Sequence, residues 1–219
     1  MTQFNVYLVR HGQTYLNKYF RIQGISDSPL TEKGIADAKH AGARLANVAF
    51  THAYASNTSR AQDTARYILA ANTGTATKAV IEPAFHEENF GYFEGNDDVQ
   101  AWHMIGGPLG LRTFNDIIRA KTIEGSKDLI AAADPYGDAE DNATFWARVQ
   151  PGIDRLIATH QDGDNVLVAT HGTTIRSIVA KYNRDIDVAV SAINGSVTKL
   201  TVTDGHIQVD YYNNVADTL

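Results

Sequence analysis

Residues 4–9, Phe-Asn-Val-Tyr-Leu-Val, form a short apolar run that stops at Arg10-His11-Gly12. A run of this length, ended by charge and glycine, predicts a buried strand feeding a turn. The pattern returns at Val166-Leu167-Val168-Ala169-Thr170-His171-Gly172, which aligns position for position with Val6 to Gly12. Between the two copies the apolar spacing becomes helical. Thr31 caps a helix in which Ile35, Ala38, Ala41, Leu45 and Val48 recur on one face. Ala53-Tyr54-Ala55 predicts a second strand, ended by Ser56-Asn57-Thr58-Ser59-Arg60 and followed by a helix over 61–71, which puts Arg60 in its first turn. Ala79-Val80-Ile81 predicts a third strand. A helix over 142–160 carries Phe145, Trp146, Val149, Ile153, Leu156 and Ile157, and another runs through Ile175, Ile178 and Val179. Residues 197–202 and 207–212 flank Thr203-Asp204-Gly205-His206, which predicts a hairpin with a tight turn.

Three stretches break the period. Residues 15–27 are polar and aromatic and predict a loop containing Asn17, Arg21, Gln23 and Gly24. Residues 83–95 predict an acidic, aromatic loop with Glu87, Glu88 and Glu94, and the pattern does not say which of them points inward. Over 96–140 the alternation of strand and helix lapses into a flexible Gly106-Gly107-Pro108-Leu109-Gly110, a short helix around 114–119 and a polar turn at 134–138. That length exceeds an ordinary connection and predicts a lid or binding insertion.

At 219 residues the chain fits one large α/β domain spanning 1–219. A net charge of −6 excludes a general nucleic-acid surface, so any anion site must be built locally. The absence of cysteine excludes disulfides, thiolate metal sites and cysteine nucleophiles. No leader-like segment and no run of membrane-spanning length is visible, so a cytoplasmic protein without a membrane partner is expected.

In open α/β sheets ligands bind outside the carboxyl ends of the strands, which brings Arg10, His11 and His171 to one edge. Arg60 opposes the dipole of its own helix unless an anion is held there by the arginine and the free backbone amides together. Two guanidiniums suit a dianion such as phosphate. A metal bound by two histidines and a carboxylate is the competing arrangement, but a divalent cation would be repelled by both arginines. The same positive surroundings favour neutral imidazole, and a neutral histidine beside an anion clamp is a nucleophile toward phosphorus.

Leu8-Val9-Arg10-His11-Gly12-Gln13-Thr14, Ser56-Asn57-Thr58-Ser59-Arg60-Ala61-Gln62-Asp63-Thr64-Ala65, Glu87 ahead of Phe90-Gly91 and Glu94-Gly95, and Thr170-His171-Gly172 together resemble the histidine phosphatase superfamily, the phosphoglycerate mutase-like family. The resemblance implies a three-layer α/β/α sandwich with a mixed, mostly parallel sheet and a lid insertion at about 96–140. It implies a metal-free phosphohistidine mechanism needing no cofactor, with His11 attacking phosphorus and Arg10, Arg60 and His171 holding the phosphoryl oxygens. By the same resemblance Asn17 helps to bind phosphate, Gln23 and Gly24 lie near the substrate, Glu87 is the proton donor and Glu94 is structural. The partner it implies is a small phosphorylated metabolite.

Glycolytic mutases of the family carry a tyrosine three residues after the acid, a lysine past the following glycine and paired lid arginines. Here Phe90 and Asp98 stand at or near the first two, Arg112 and Arg119 are well separated, and Arg21-Ile22-Gln23-Gly24 resembles the broad-specificity phosphatases. A phosphomonoesterase is therefore expected. A 2,3-bisphosphoglycerate-dependent mutase is the alternative, and a catalytically silent phospho-ligand sensor a third reading.

Overall fold

The computed structural model describes residues 2–216. Strict alternation along β1 (Gln3–Arg10) sends Val6 and Leu8 to one face of the sheet and Tyr7 and Val9 to the other. Each face is then covered by helices, which explains why the strand reads as continuously apolar. The other strands are β2 (His52–Ala55), β3 (Val80–Ile81), β4 (Asn165–Thr170), β5 (Val197–Thr203) and β6 (His206–Asn214). They form a six-stranded sheet in the order β3-β2-β4-β1-β5-β6. The β3, β2, β4 and β1 strands run parallel, whereas β5 pairs antiparallel with β1 and β6 antiparallel with β5. This is the mixed, mostly parallel α/β sheet that the sequence implied.

Among the described residues seven α-helices surround it: α1 (Tyr15–Lys18), α2 (Glu32–Arg44), α3 (Ser59–Ala70), α4 (Asp98–Gly106), α5 (Phe114–Ala133), α6 (Asn142–Thr159) and α7 (Gly172–Tyr182). Ala41 of α2 and Ala61, Ala65, Ile68 and Leu69 of α3 pack on Tyr7, Val9, Leu167 and Ala169. On the opposite face Phe145, Val149, Ile153 and Leu156 of α6 join Ile175, Ile178 and Val179 of α7 against Val6, Leu8, Val166 and Val168. Truncating a fully buried leucine such as Leu8 to alanine in such a layer costs about 2–5 kcal/mol. The hairpin between β5 and β6 turns on Asp204 (φ 48°) and Gly205 (φ 82°), two left-handed residues that match the twist of the strands.

Three expectations are corrected. The 15–27 stretch begins with the short α1, because Thr14 and Asn17 cap each other reciprocally. The α2 helix ends at Arg44, so Leu45 caps it and Val48 lies beyond it. The 96–140 stretch is far more ordered than a flexible insertion. Asp97 caps α4, Thr113 and Asp116 form a capping box for α5, and Gly110 (φ 73°) closes a 3₁₀ turn over Gly107–Leu109. The α5 helix is broken at Thr122, whose φ of 66° and ψ of 171° suit glycine rather than a β-branched residue. Ala101, Trp102, Ile105, Ile117 and Ile130 of this insertion bury a core of their own with Ile22, Phe90 and Phe93. No helix among the described residues is long and apolar enough to cross a membrane.

Candidate active site

The β1 and β4 strands pair in the register that aligns their sequences, Arg10 opposite Thr170, and the His11 N–H donates to the Thr170 carbonyl at 3.0 Å. His11 and His171 therefore leave neighbouring strands side by side, with ring centroids 5.2 Å apart. Strand spacing sets that distance, since adjacent strands lie about 4.7–4.9 Å apart. The turn after His11 is as close to its neighbours as backbone allows. A Cβ on Gly12 would stand 2.1 Å from the Gly34 carbonyl oxygen, and one on Gly34 would stand 1.9 Å from that of Gln13. Only glycine at both positions lets the turn dock on the first turn of α2.

Both imidazoles are buried. His11 Nδ1 meets the Gly12 carbonyl at 2.8 Å. That contact requires Nδ1 to carry the proton, so Nε2 keeps its lone pair. His171 Nε2 lies 2.6 Å from the Ser56 hydroxyl, which accepts from the Thr58 N–H at 3.3 Å. With the serine hydroxyl donating a hydrogen bond to Nε2 rather than to the Thr58 hydroxyl 3.1 Å away, His171 Nδ1 carries its hydrogen and is a donor without a partner. Burial and then the charge of Arg60 hold both imidazoles well below their usual value, so both are neutral near neutrality.

Arg10 and Arg60 surround them. The Arg10 guanidinium donates to the Ala192 carbonyl and keeps a buried Nε–H without a partner. Arg60 is fully buried and faces the loop after α1, donating to the carbonyls of Gly24 at 2.6 Å and Ser26 at 2.7 Å and to Asp27 Oδ1 at 3.1 Å. Its Nε–H is also orphaned. Burial lowers the pKa of both guanidiniums, opposed by nearby carboxylates. Three unpaired buried donors beside one nucleophilic nitrogen form a site for the oxygens of an anion, since a buried donor left unsatisfied costs about 1–3 kcal/mol.

The three glutamates separate cleanly. Glu87 accepts the N–H groups of Thr173 and Thr174, both at 2.9 Å, at the start of α7. Its segment is pinned by the Thr170 hydroxyl on the Phe85 carbonyl and the Thr174 hydroxyl on the His86 carbonyl. Glu88 points into the core beside Lys127 with neither oxygen hydrogen-bonded, and burial pushes its carboxyl well up. Glu94 binds the N–H groups of Gly24, Ile25, Ser26 and Phe90 at 3.0–3.1 Å.

A cavity of about 160 Å³ opens above this floor, lined by Arg10, Asn17, Gln23, Glu87 and Gly172. The structure thus brings Arg10, Asn17, Gln23 and Glu87 to one cavity, whereas His11, Arg60 and His171 are buried and do not line it. Asn17 is engaged by the Thr14 N–H and Asn194. The Gln23 amide meets the Thr14 hydroxyl at 2.5 Å. Gly24 does not line the cavity; its carbonyl accepts from Arg60, and a Cβ there would lie 1.9 Å from the Glu88 carbonyl oxygen. Among residues that sequence reasoning passed over, Arg176 lines the cavity, bonded to the carbonyls of Val188 and Ala189 and to Asn115 Oδ1. Burial lowers its pKa to about 10. Ile22, Phe90, Asp98, Trp102 and Phe114 also line the cavity, with Trp102 and Phe114 stacked at 4.6 Å.

The sequence pattern of the histidine phosphatase superfamily (branch 1) matches residues 6–215. The 2,3-bisphosphoglycerate-dependent phosphoglycerate mutase 2 of Gloeobacter violaceus is 30% identical over 176 residues, covering 80% of this chain and 74% of that protein. The crystal structure of a phosphoglycerate mutase from Bacillus anthracis superposes with a TM-score of 0.86 at 33% identity, over 97% of this chain and 93% of the other. The α-ribazole phosphatase of Shigella flexneri shares the fold alone, with a TM-score of 0.69 at 22% identity over 98% of each chain.

Proposed function

This chain belongs to branch 1 of the histidine phosphatase superfamily, and from that premise we propose that it hydrolyses small phosphomonoesters through a phosphohistidine at His11. The observation that carries the reading is the neutral His11, its Nε2 lone pair free, set among orphaned donors of Arg10, Arg60 and His171. In this reaction Nε2 attacks phosphorus in line, the N–P bond forms as the ester P–O bond breaks, and Glu87 protonates the leaving alkoxide. Glu87 then takes a proton from water, which attacks phosphorus and releases inorganic phosphate and free His11. Asn17 and Gln23 sit where they would bound the phosphoryl pocket. Every charge-neutralising role falls to fixed cationic or N–H groups, so the reaction needs no metal.

Hydrolysis is favoured over isomerisation by the apolar part of the cavity lining. Ile22, Phe90, Trp102 and Phe114, with the acidic Asp98 among them, suit the alcohol portion of an ester better than a second anionic group. Arg119 faces Asp187 at 3.7 Å instead, and Arg112 lines an adjoining groove that shares Asp98, Trp102 and Phe114 with the cavity but does not line the cavity itself. Mutase activity is the second reading, favoured by the names of the more similar relatives and by Arg21 at the cavity rim. The test is a panel of phosphomonoesters that includes 3-phosphoglycerate with and without 2,3-bisphosphoglycerate, scored for inorganic phosphate and for isomerised product, with and without chelator. Phosphate release indifferent to chelator is expected. Fast isomerisation with little phosphate release overturns the reading in favour of the mutase.

A further inference from the structure

At the end of the sheet away from His11, the amino ends of β2 and β4 bring together His52, His160 and Asp164. One ligand atom of each lies within 4.8 Å of the other two. Asp164 Oδ2 stands 3.8 Å from His52 Nδ1 and 3.7 Å from His160 Nδ1. These distances are too long for hydrogen bonds, and they leave His160 Nδ1 buried without a partner. From this geometry we propose that His52, His160 and Asp164 form a binding site for a first-row divalent transition-metal ion, a clip joining β2 to the loop before β4.

The donor set and its surroundings carry the proposal. Two imidazoles and a carboxylate, with a fourth position open to water, match three-ligand zinc sites. Metal–ligand bonds of about 2.0–2.1 Å in a tetrahedron put ligand atoms about 3.3 Å apart. The carboxylate–imidazole spacings of 3.7 and 3.8 Å need to contract by about half an ångström, and the half-exposed His52 ring supplies the remaining approach of the two imidazoles, which lie within 4.8 Å of each other. His160 is set by a second contact, its Nε2 lying 3.2 Å from the Tyr54 hydroxyl. With Nε2–H donating to that oxygen, Nδ1 offers its lone pair toward Asp164, the arrangement that orients imidazole ligands in metal sites. The Gln161 N–H holds Asp164 Oδ2 at 2.9 Å, fixing the carboxylate. His52 is half exposed and gives the ion a path from solvent; its Nδ1 also touches the Thr51 hydroxyl at 3.1 Å, a contact the ion replaces. No guanidinium stands within salt-bridge distance of Asp164 among the described residues, in contrast to the clamp around His11.

The ligands come from β2, the end of α6 and the loop that follows, so an ion bound only by the folded chain stabilises it. Chelator-stripped protein titrated with Zn²⁺ alone in a calorimeter should show a site that is lost in His52→Gln and in Asp164→Asn. It should be weakened about 10- to 100-fold in Tyr54→Phe, as expected for an outer-shell partner. Zn²⁺ should raise the Tm of the wild type and leave that of His52→Gln, a substitution at a half-exposed position, unchanged. Failure of the wild type to bind, or an isotherm the same in His52→Gln as in wild type, overturns the proposal; the latter result assigns the zinc to the histidines at the other end of the sheet.

Discussion

Glu87 and Glu88 are adjacent in the chain yet live in opposite surroundings, one on the N–H groups that open α7, the other in the core with neither oxygen bonded. Of the two only Glu87 lines the cavity, which is why proton transfer is proposed for it. Glu87→Gln should slow phosphorylation of His11 by alkyl phosphates by about 10²- to 10⁴-fold, the usual contribution of a general acid. p-Nitrophenolate leaves without help, so that substrate should give a burst of nitrophenolate and then slow turnover as the phosphoenzyme accumulates. Equal slowing of both substrates with no burst refutes the role. A second expectation concerns acid. His11 and His171 stay neutral in the fold but are protonated in the unfolded chain below about pH 6.5, so the unfolded state binds more protons and stability rises with pH. Their contribution is complete above that pH and falls on acidification by about 1.4 kcal/mol per histidine per pH unit until the folded-state values are reached. Urea midpoints at about pH 7 and pH 5 should therefore differ less in the His11→Asn/His171→Asn variant than in the wild type, and an equal difference assigns the titration to other groups. Arg10, His11 and His171 were legible because adjacent strands in matched register must deliver them together. The choice among glutamates was not, because it depends on which carboxylate meets N–H groups 86 residues away. Arg176 left one trace that was passed over: it is a charge within an α7 segment, Thr173 to Ala180, that is buried on every side.

The loop from Ile22 to Ser28 has almost no regular structure, and it is held by two opposite charges. Glu94 gathers its N–H groups while Arg60 gathers the carbonyls of Gly24 and Ser26. This arrangement positions Gln23 at the cavity, and it makes Glu94 a positioning residue. In Glu94→Gln one carboxylate oxygen becomes an amide NH₂ facing N–H donors, which should cost about 1–3 kcal/mol in urea unfolding. KM should rise more than kcat falls, because the loop borders the cavity and carries none of the reacting atoms. An unchanged KM refutes the coupling of loop to site. Such a loop offers no period to read, since its order comes from charges elsewhere in the chain. In the 96–140 insertion α4 was missed, and α5 was read only over its first turns at 114–119, for a different reason. Asp97 and the Thr113–Asp116 pair are start signals present in the sequence, but Gly106-Gly107-Pro108 separates α4 from α5, and the break at Thr122 divides the apolar spacing of α5.

Ile22 from the loop, Phe90 and Phe93 from the glutamate segment and Trp102, Ile105 and Ile117 from the 96–140 insertion share one apolar core, so these three stretches are packed as a unit beside the cavity. The chain has two tryptophans, and only Trp102 borders the cavity; Trp146 lies on α6 beneath Lys181. Binding of inorganic phosphate should change the intrinsic fluorescence of the wild type and of Trp146→Phe, and the change should vanish in Trp102→Phe. A response that survives in Trp102→Phe removes the lid from the binding event. The overall α/β plan was visible from the sequence because strand and helix periods are set by local burial, whereas the joining of loop, segment and lid is made only by contacts distant in the chain. Because the two histidines are separated by the lattice of hydrogen bonds between β1 and β4, with no hinge or loop between them, nothing short of melting those central strands can part them. Warming should therefore leave the enzyme fully competent until the whole molecule gives way, so that the loss of turnover and the loss of secondary structure trace one and the same curve.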